Sequence, residues 1–238
     1  MKRLLTLLFA FILLTATAVQ ADPDLSAQLD LIAAGADTWK QGIDFGQWGY
    51  TAADLDGNGR TEIIAATLQG TGLYIYFNIY EVSEDGLSLT EVTQDRPVYD
   101  SAPDIMMETV PVFFDSESGL RYYIFPDFVR NGYAESWQSK RAAYLENGVW
   151  KEKMLGQQYI TCTDPEHCTS EFSDADGSPI SEEAFNTLED TCFEGLEKGT
   201  FTFRWNMTDN ETFAAMFPEA LRASLEPISG PADEEPVK

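Results

Sequence analysis

Tyr50-Thr51-Ala52-Ala53-Asp54-Leu55-Asp56-Gly57-Asn58-Gly59-Arg60-Thr61-Glu62-Ile63-Ile64-Ala65-Ala66 reads as strand, glycine turn and strand. The apolar flanks suit a half-buried or buried sheet, and the centre suits a bend that only glycine-rich backbone follows. Side-chain oxygens fall at Asp54, Asp56, Asn58 and Glu62. A hard cation such as calcium takes about six to eight oxygens, and a turn of this kind can wrap several of them around one point. Asp-Gly and Asn-Gly also suit hairpin turns that hold no metal. Three acidic side chains crowded into one turn repel one another unless a cation sits among them, and this favours the ion. The expected ligands are Asp54, Asp56, Asn58 and Glu62 through side chains and Arg60 through its carbonyl, with Ca2+ in a structural role.

The loop is not an EF-hand. Position twelve counted from Asp54 is Ala65, where an EF-hand needs a bidentate Glu, and a strand follows where an EF-hand has a helix. A second stretch, Asp174-Ala175-Asp176-Gly177-Ser178-Pro179, begins in the same way, but Pro179 stands where a calcium loop needs a flexible residue. It reads as a turn before a helix capped by Ser181.

Outward from the loop, strand and turn recur. Leu73 to Val82 is aromatic and β-branched almost throughout, which makes it the strongest strand signal in the chain. Leu87–Val92, Val110–Phe114, Leu120–Phe125, Arg141–Leu145 and Val149–Met154 follow, with Asn147-Gly148 fitting a tight type I′ hairpin. Short connections join antiparallel neighbours. A helix is expected over Asp24–Ala36, another after Ser181, and a third over Glu211–Leu225 broken or kinked at Pro218. The fold class is therefore α+β: mainly an antiparallel β meander with flanking helices, in a single domain over residues 24–228.

The ends point to export. Lys2 and Arg3 precede a short apolar run from Leu4 to Leu14, and small residues before Ala21 suit cleavage, so residues 1–21 read as a signal peptide. The run is shorter than the roughly 20 residues of a spanning helix. The expected location is secreted, either extracellular or periplasmic. Residues 229–238 read as an acidic flexible tail. Of the three cysteines, Cys162 and Cys168 flank a turn-like segment and are the favoured disulfide, with Cys168–Cys192 the alternative. A zinc site from Cys162, His167, Cys168 and Cys192 is a lesser option.

The formal net charge is −25, and loss of Lys2 and Arg3 makes it more negative still. Such a chain repels phosphate backbones, so nucleic-acid binding is disfavoured. His167 is the only histidine. No nucleophile elbow, zinc-protease helix or P-loop pattern occurs, and no carboxylate pair stands out, so no catalytic residue is named. Trp137, Trp150 and Trp205 with Tyr122, Tyr123 and Tyr133 are the candidates for a sugar-stacking surface, against the commoner role of strand aromatics as core.

The loop resembles the calcium loops set between strands in FG-GAP repeats, whose pattern is Asp-x-Asp-x-Asp/Asn-Gly-x-x-Asp/Glu before an apolar strand. That resemblance implies the ligand roles given above, but a single copy argues against a full propeller. The chain also resembles small exported bacterial proteins of Firmicutes type that carry an Asp-x-Asp-Gly-Asn-Gly-x-x-Glu strand-loop-strand. Their late Asp-Gly-x-x-Ile/Val-Ser-x-Glu segment is matched by Asp176 to Glu183. That family has no assigned activity, so the resemblance implies fold and export alone. The expected function is a secreted calcium-binding domain with an extracellular binding or interaction role toward a protein or glycan. The alternative is a carbohydrate-active enzyme or an accessory carbohydrate-binding module.

Overall fold

The computed structural model describes residues 24–43, 46–69, 74–95, 102–164, 166–216 and 218–225. The expected signal peptide at 1–21 and the tail at 229–238 lie outside the described residues. In chain order the elements are α1 (Leu25–Ala34), α2 (Ala36–Trp39), β1 (Gln47–Ala53), β2 (Glu62–Gln69), β3 (Tyr74–Val82), β4 (Leu89–Glu91) and β5 (Thr93–Asp95). There follow β6 (Thr109–Phe114), β7 (Arg121–Asn131), β8 (Glu135–Glu146), β9 (Val149–Asp164) and β10 (His167–Asp174). The chain continues through α3 (Glu182–Asn186), α4 (Leu188–Cys192), β11 (Glu197–Thr202), β12 (Asn206–Asp209), α5 (Asn210–Ala214) and α6 (Pro218–Leu225).

The expected single meander is two sheets. The first runs β12-β1-β2-β3-β4, and the second runs β10-β9-β8-β7-β6-β11 with β5 parallel to the start of β9. All other pairings among the described residues are antiparallel. The chain is mostly β with a few helices, an α+β composition.

Period-two alternation decides the layers. On β2, Ile64 and Ala66 face the second sheet while Ile63 and Ala65 face the helices, and all four are buried. On β7, Tyr123 and Phe125 face the first sheet, while Ile124 joins α3 and α4 on the outer side. A core between the sheets gathers Leu55, Phe77, Ile79, Tyr123, Leu145 and Trp150, and the Phe77 and Trp150 rings meet edge to face at 5.8 Å. Beyond the first sheet, Trp39, Trp48, Tyr50 and Phe213 form one aromatic cluster under α1, α2, α5 and α6. Beyond the second, Phe193 stacks on Phe113 and Tyr122, with Phe185 and Leu188 from α3 and α4 closing that face. The arrangement is helices, sheet, sheet, helices.

Local signals hold where they were specific. Asn147 and Gly148 both have positive φ, 54° and 72°, as a type I′ turn requires. Asp24 caps α1 through the Ser26 N–H, and Ser181 caps α3 through the Ala184 N–H at 3.1 Å. The last helix breaks at Pro218 as expected, into α5 and α6. The strands not foreseen are β5, β10, β11 and β12. Of these, β10 and β11 are mostly exposed, polar strands at the rims of the second sheet, where apolar alternation is weak by necessity.

Candidate metal centre

Residues 54–61 connect β1 to β2 across the pair Ala53↔Glu62. Asp54 organises the bend. Its Oδ1 accepts the N–H groups of Gly57 and Asn58 at 2.7 and 3.1 Å, and its Oδ2 accepts that of Gly59 at 3.1 Å. Gly57 and Gly59 both sit in the left-handed region, with φ of 78° and 83°. A Cβ at Gly57 would also come within 2.3 Å of the Arg121 guanidinium, the end of a flexible side chain that would have to shift, so the positive φ is the main reason this position takes glycine.

The loop is pinned from both neighbouring layers. From α1, Gln28 donates to the Gly59 carbonyl at 2.9 Å and accepts from the Thr61 N–H at 2.7 Å. From β7, Arg121 donates to the Asp54 carbonyl at 3.1 Å, and the Tyr123 hydroxyl donates to the Leu55 carbonyl at 2.5 Å. Leu55 itself is fully buried between the sheets. The bend is therefore a packed part of the sandwich, and its carboxylates are held rather than free.

Asp54, Asp56 and Glu62 each present an oxygen within 4.8 Å of the others. Two oxygens bound to one calcium at roughly 2.4 Å lie at most about 4.8 Å apart, so this spacing is compatible with a common ion. Glu62 is fully buried. Its Oε2 accepts the Leu55 N–H at 2.6 Å, whereas its Oε1 has no hydrogen-bond partner among the described residues. Leaving such an oxygen unsatisfied costs roughly 1–3 kcal/mol, and more when the group is charged. Burial pushes the Glu62 carboxyl well above the ordinary carboxylate range; the Leu55 N–H opposes this, while the Asp56, Glu81 and Asp54 charges add to it. Burial raises Asp56 too, countered by the Asn58 N–H and reinforced by Glu81 and Asp54. Both shifts have burial as their main cause, with the neighbouring carboxylates adding to it.

The other two expected ligands stand differently. Asn58 directs its amide nitrogen to Asp56 Oδ2 at 3.0 Å and to Glu81 Oε1 at 2.7 Å, and its Oδ1 accepts the Arg60 N–H at 2.7 Å. Arg60 sends its guanidinium to Glu81, with Nε at 3.0 Å and Nη2 at 2.6 Å from Oε1. Glu81 is the acid that the sequence reading missed. It lies on β3 directly opposite Glu62 and is 8 % exposed. The signal was present as the one acid in a strand that is apolar and aromatic apart from Asn78, but its pairing partner could not be read without the register.

The remaining sequence candidates separate cleanly. Cys162 and Cys168 form a disulfide between directly opposed residues of β9 and β10. Cys192, at the end of α4, is exposed and unbridged. The bridge uses two of the four groups considered for zinc, and His167 pairs with Asp164 at 2.7 Å, so no such quartet forms. Asp174 makes a turn: its Oδ1 accepts from Asp176 and Ser178 N–H groups at 3.0 and 2.9 Å. The six aromatics are divided between core and surface, with Tyr133 exposed and Trp205 packed beside Phe203. Trp150 and Tyr123 are core, Tyr122 stacks on Phe193, and Trp137 stacks on Tyr159.

Among the described residues, no helix is long and apolar enough to cross a membrane. No protein-family model matches the chain, and neither the curated proteins nor the solved structures contain a significant match to it.

Proposed function

We propose that this chain is an exported, single-domain α+β binding protein whose β1–β2 loop takes up a calcium ion for rigidity. One observation carries the cation reading: a buried carboxylate, Glu62, with one oxygen unpartnered and two further carboxylates within 4.8 Å. Asp54, Asp56 and Glu62 supply the charge. Asn58 joins by presenting its amide oxygen in place of its nitrogen, and Arg60 contributes its carbonyl. Glu81 then keeps the Arg60 side chain away from the ion. Oxygen-only donors favour calcium over a softer transition metal. The resemblance to FG-GAP loops supports the same assignment.

The ion does no chemistry in this reading. It neutralises a loop that the core holds in place, and binding adds folding free energy by linkage. At a hundredfold excess over Kd the increment is about 2.7 kcal/mol, or roughly 5–10 °C in Tm for a domain of this size. The test is a thermal melt of the purified chain in chelator and in calcium. A rise of that order in the parent, absent in Asp56→Ala, supports the site; an unchanged melting curve with added calcium removes it. Export is supported by the signal-like start and by the disulfide.

A further inference from the structure

A groove of about 550 Å³ lies over the outer strands of the second sheet, away from the cation loop. Its floor is set by register. Trp137 on β8 is directly opposite Tyr159 on β9, which is opposite Glu171 on β10. The neighbouring row on the same face is Gln157 and Ser173, with Pro179 bridged to Ser173 by the returning turn. Farther along β8 the same face carries Ala143 and Leu145, which are buried against the first sheet. The groove is thus the sandwich's interior face continued out to solvent.

The Trp137 and Tyr159 rings stack at 5.3 Å with an interplanar angle of 30°, and both are half-buried. Polar groups surround them. The side chains of Gln157, Glu171 and Ser173 make no hydrogen bond or ion pair among the described residues. The volume falls within the range of small-molecule sites, roughly 300–1,000 Å³. An aromatic wall beside an uncommitted amide, hydroxyl and carboxylate matches a ligand with apolar faces and many hydroxyls. Glu171 and the chain's net charge of −25 disfavour anionic ligands such as nucleotides or uronic acids.

We propose that this groove binds an uncharged oligosaccharide, stacked on the Tyr159 and Trp137 rings and hydrogen-bonded by Gln157, Ser173 and Glu171. This gives the extracellular binding role argued above a ligand class. Its failure leaves the cation loop untouched, because the calcium melt reads a different site.

The test is calorimetric titration of the full chain, in calcium, with neutral glucose, xylose and mannose oligosaccharides, alongside a lysine-rich peptide as a cationic probe. The expected result is binding to at least one oligosaccharide, weakened tenfold or more in Trp137→Ala. Glu171→Ala alters an exposed side chain and leaves the fold intact; the same ligand should bind it at least threefold more weakly. Binding by none of the oligosaccharides, binding unchanged in both variants, or binding of the peptide in their place would overturn the proposal.

Discussion

Glu62 is the residue on which the cation site turns. Its burial was not legible in the sequence, where it appears as the last acid of a polar turn. In the fold it is the first residue of β2, under the sheet–sheet core, with the Leu55 N–H on one oxygen and no hydrogen-bond partner among the described residues on the other. Replacing it with Gln removes the charge while retaining an acceptor for Leu55. The expected outcome is a metal-free protein no less stable than the parent and a calcium increment in Tm that is lost, both read from paired melts. A Glu62→Gln variant that keeps the full calcium response places the ion elsewhere. Gly57 makes a steric prediction. Substitution by Ala adds a Cβ at positive φ and against Arg121, and should destabilise by about 1–3 kcal/mol in denaturant unfolding. Three of the five expected ligands were brought together because alternate oxygens around paired glycines constrain the backbone locally. Glu81, Gln28 and Arg121 escaped because each reaches the loop from a distant part of the chain.

At the scale of elements, legibility followed burial. The sequence reading found β2, β3 and β6 nearly to their ends, because each alternates apolar residues into two cores. It found the first six residues of the sixteen-residue β9 but not its extension to Asp164, where Gln157 and Gln158 replace apolar residues on the outer strands. The edge strand β10 was missed for the same reason, yet its pairing is fixed by a covalent tie. The Cys162–Cys168 bridge spans a separation of 6 residues at the tip of the β9–β10 hairpin. Closing so short a loop stabilises by roughly 2 kcal/mol on the chain-entropy account. Reduction, or Cys162→Ser, should therefore raise amide exchange at the hairpin tip near residues 161–169 and lower Tm modestly. Unchanged exchange there would show that the strand pairing holds without the bridge.

For the molecule as a whole, the sequence announced sheet and helices but not their stacking. Nothing local says that a run of strands divides into two sheets. The division follows from β4 ending the first meander and β6 starting the second, while the late strands β11 and β12 return to the edges of both. Folding thus requires the C-terminal third to complete both sheets. Between the layers lies a polar cluster unrelated to the loop. Arg141 sits 3.1 Å from Asp127 and 3.5 Å from Glu152, and Trp150 donates to Glu152 at 3.1 Å. Burial and the neighbouring Asp127 push the Asp104 carboxyl up to about 6, against the Phe128 N–H that favours its charged form. The folded chain therefore holds a proton on Asp104 that the unfolded chain releases near pH 4. This contribution to stability is present below about pH 4 and is lost as pH rises through about 6. Denaturant midpoints measured from pH 4 to 7 should fall less steeply in Asp104→Asn than in the parent, and identical slopes would contradict the assignment.

The most direct measurement of the cation site is a crystal structure grown in calcium and phased to reveal bound ions. The account predicts one ion, with oxygens of Asp54, Asp56 and Glu62 at about 2.3–2.6 Å and the Asn58 amide turned to face it. Carboxylates that point apart around water, with no shared density between them at millimolar calcium, would contradict it.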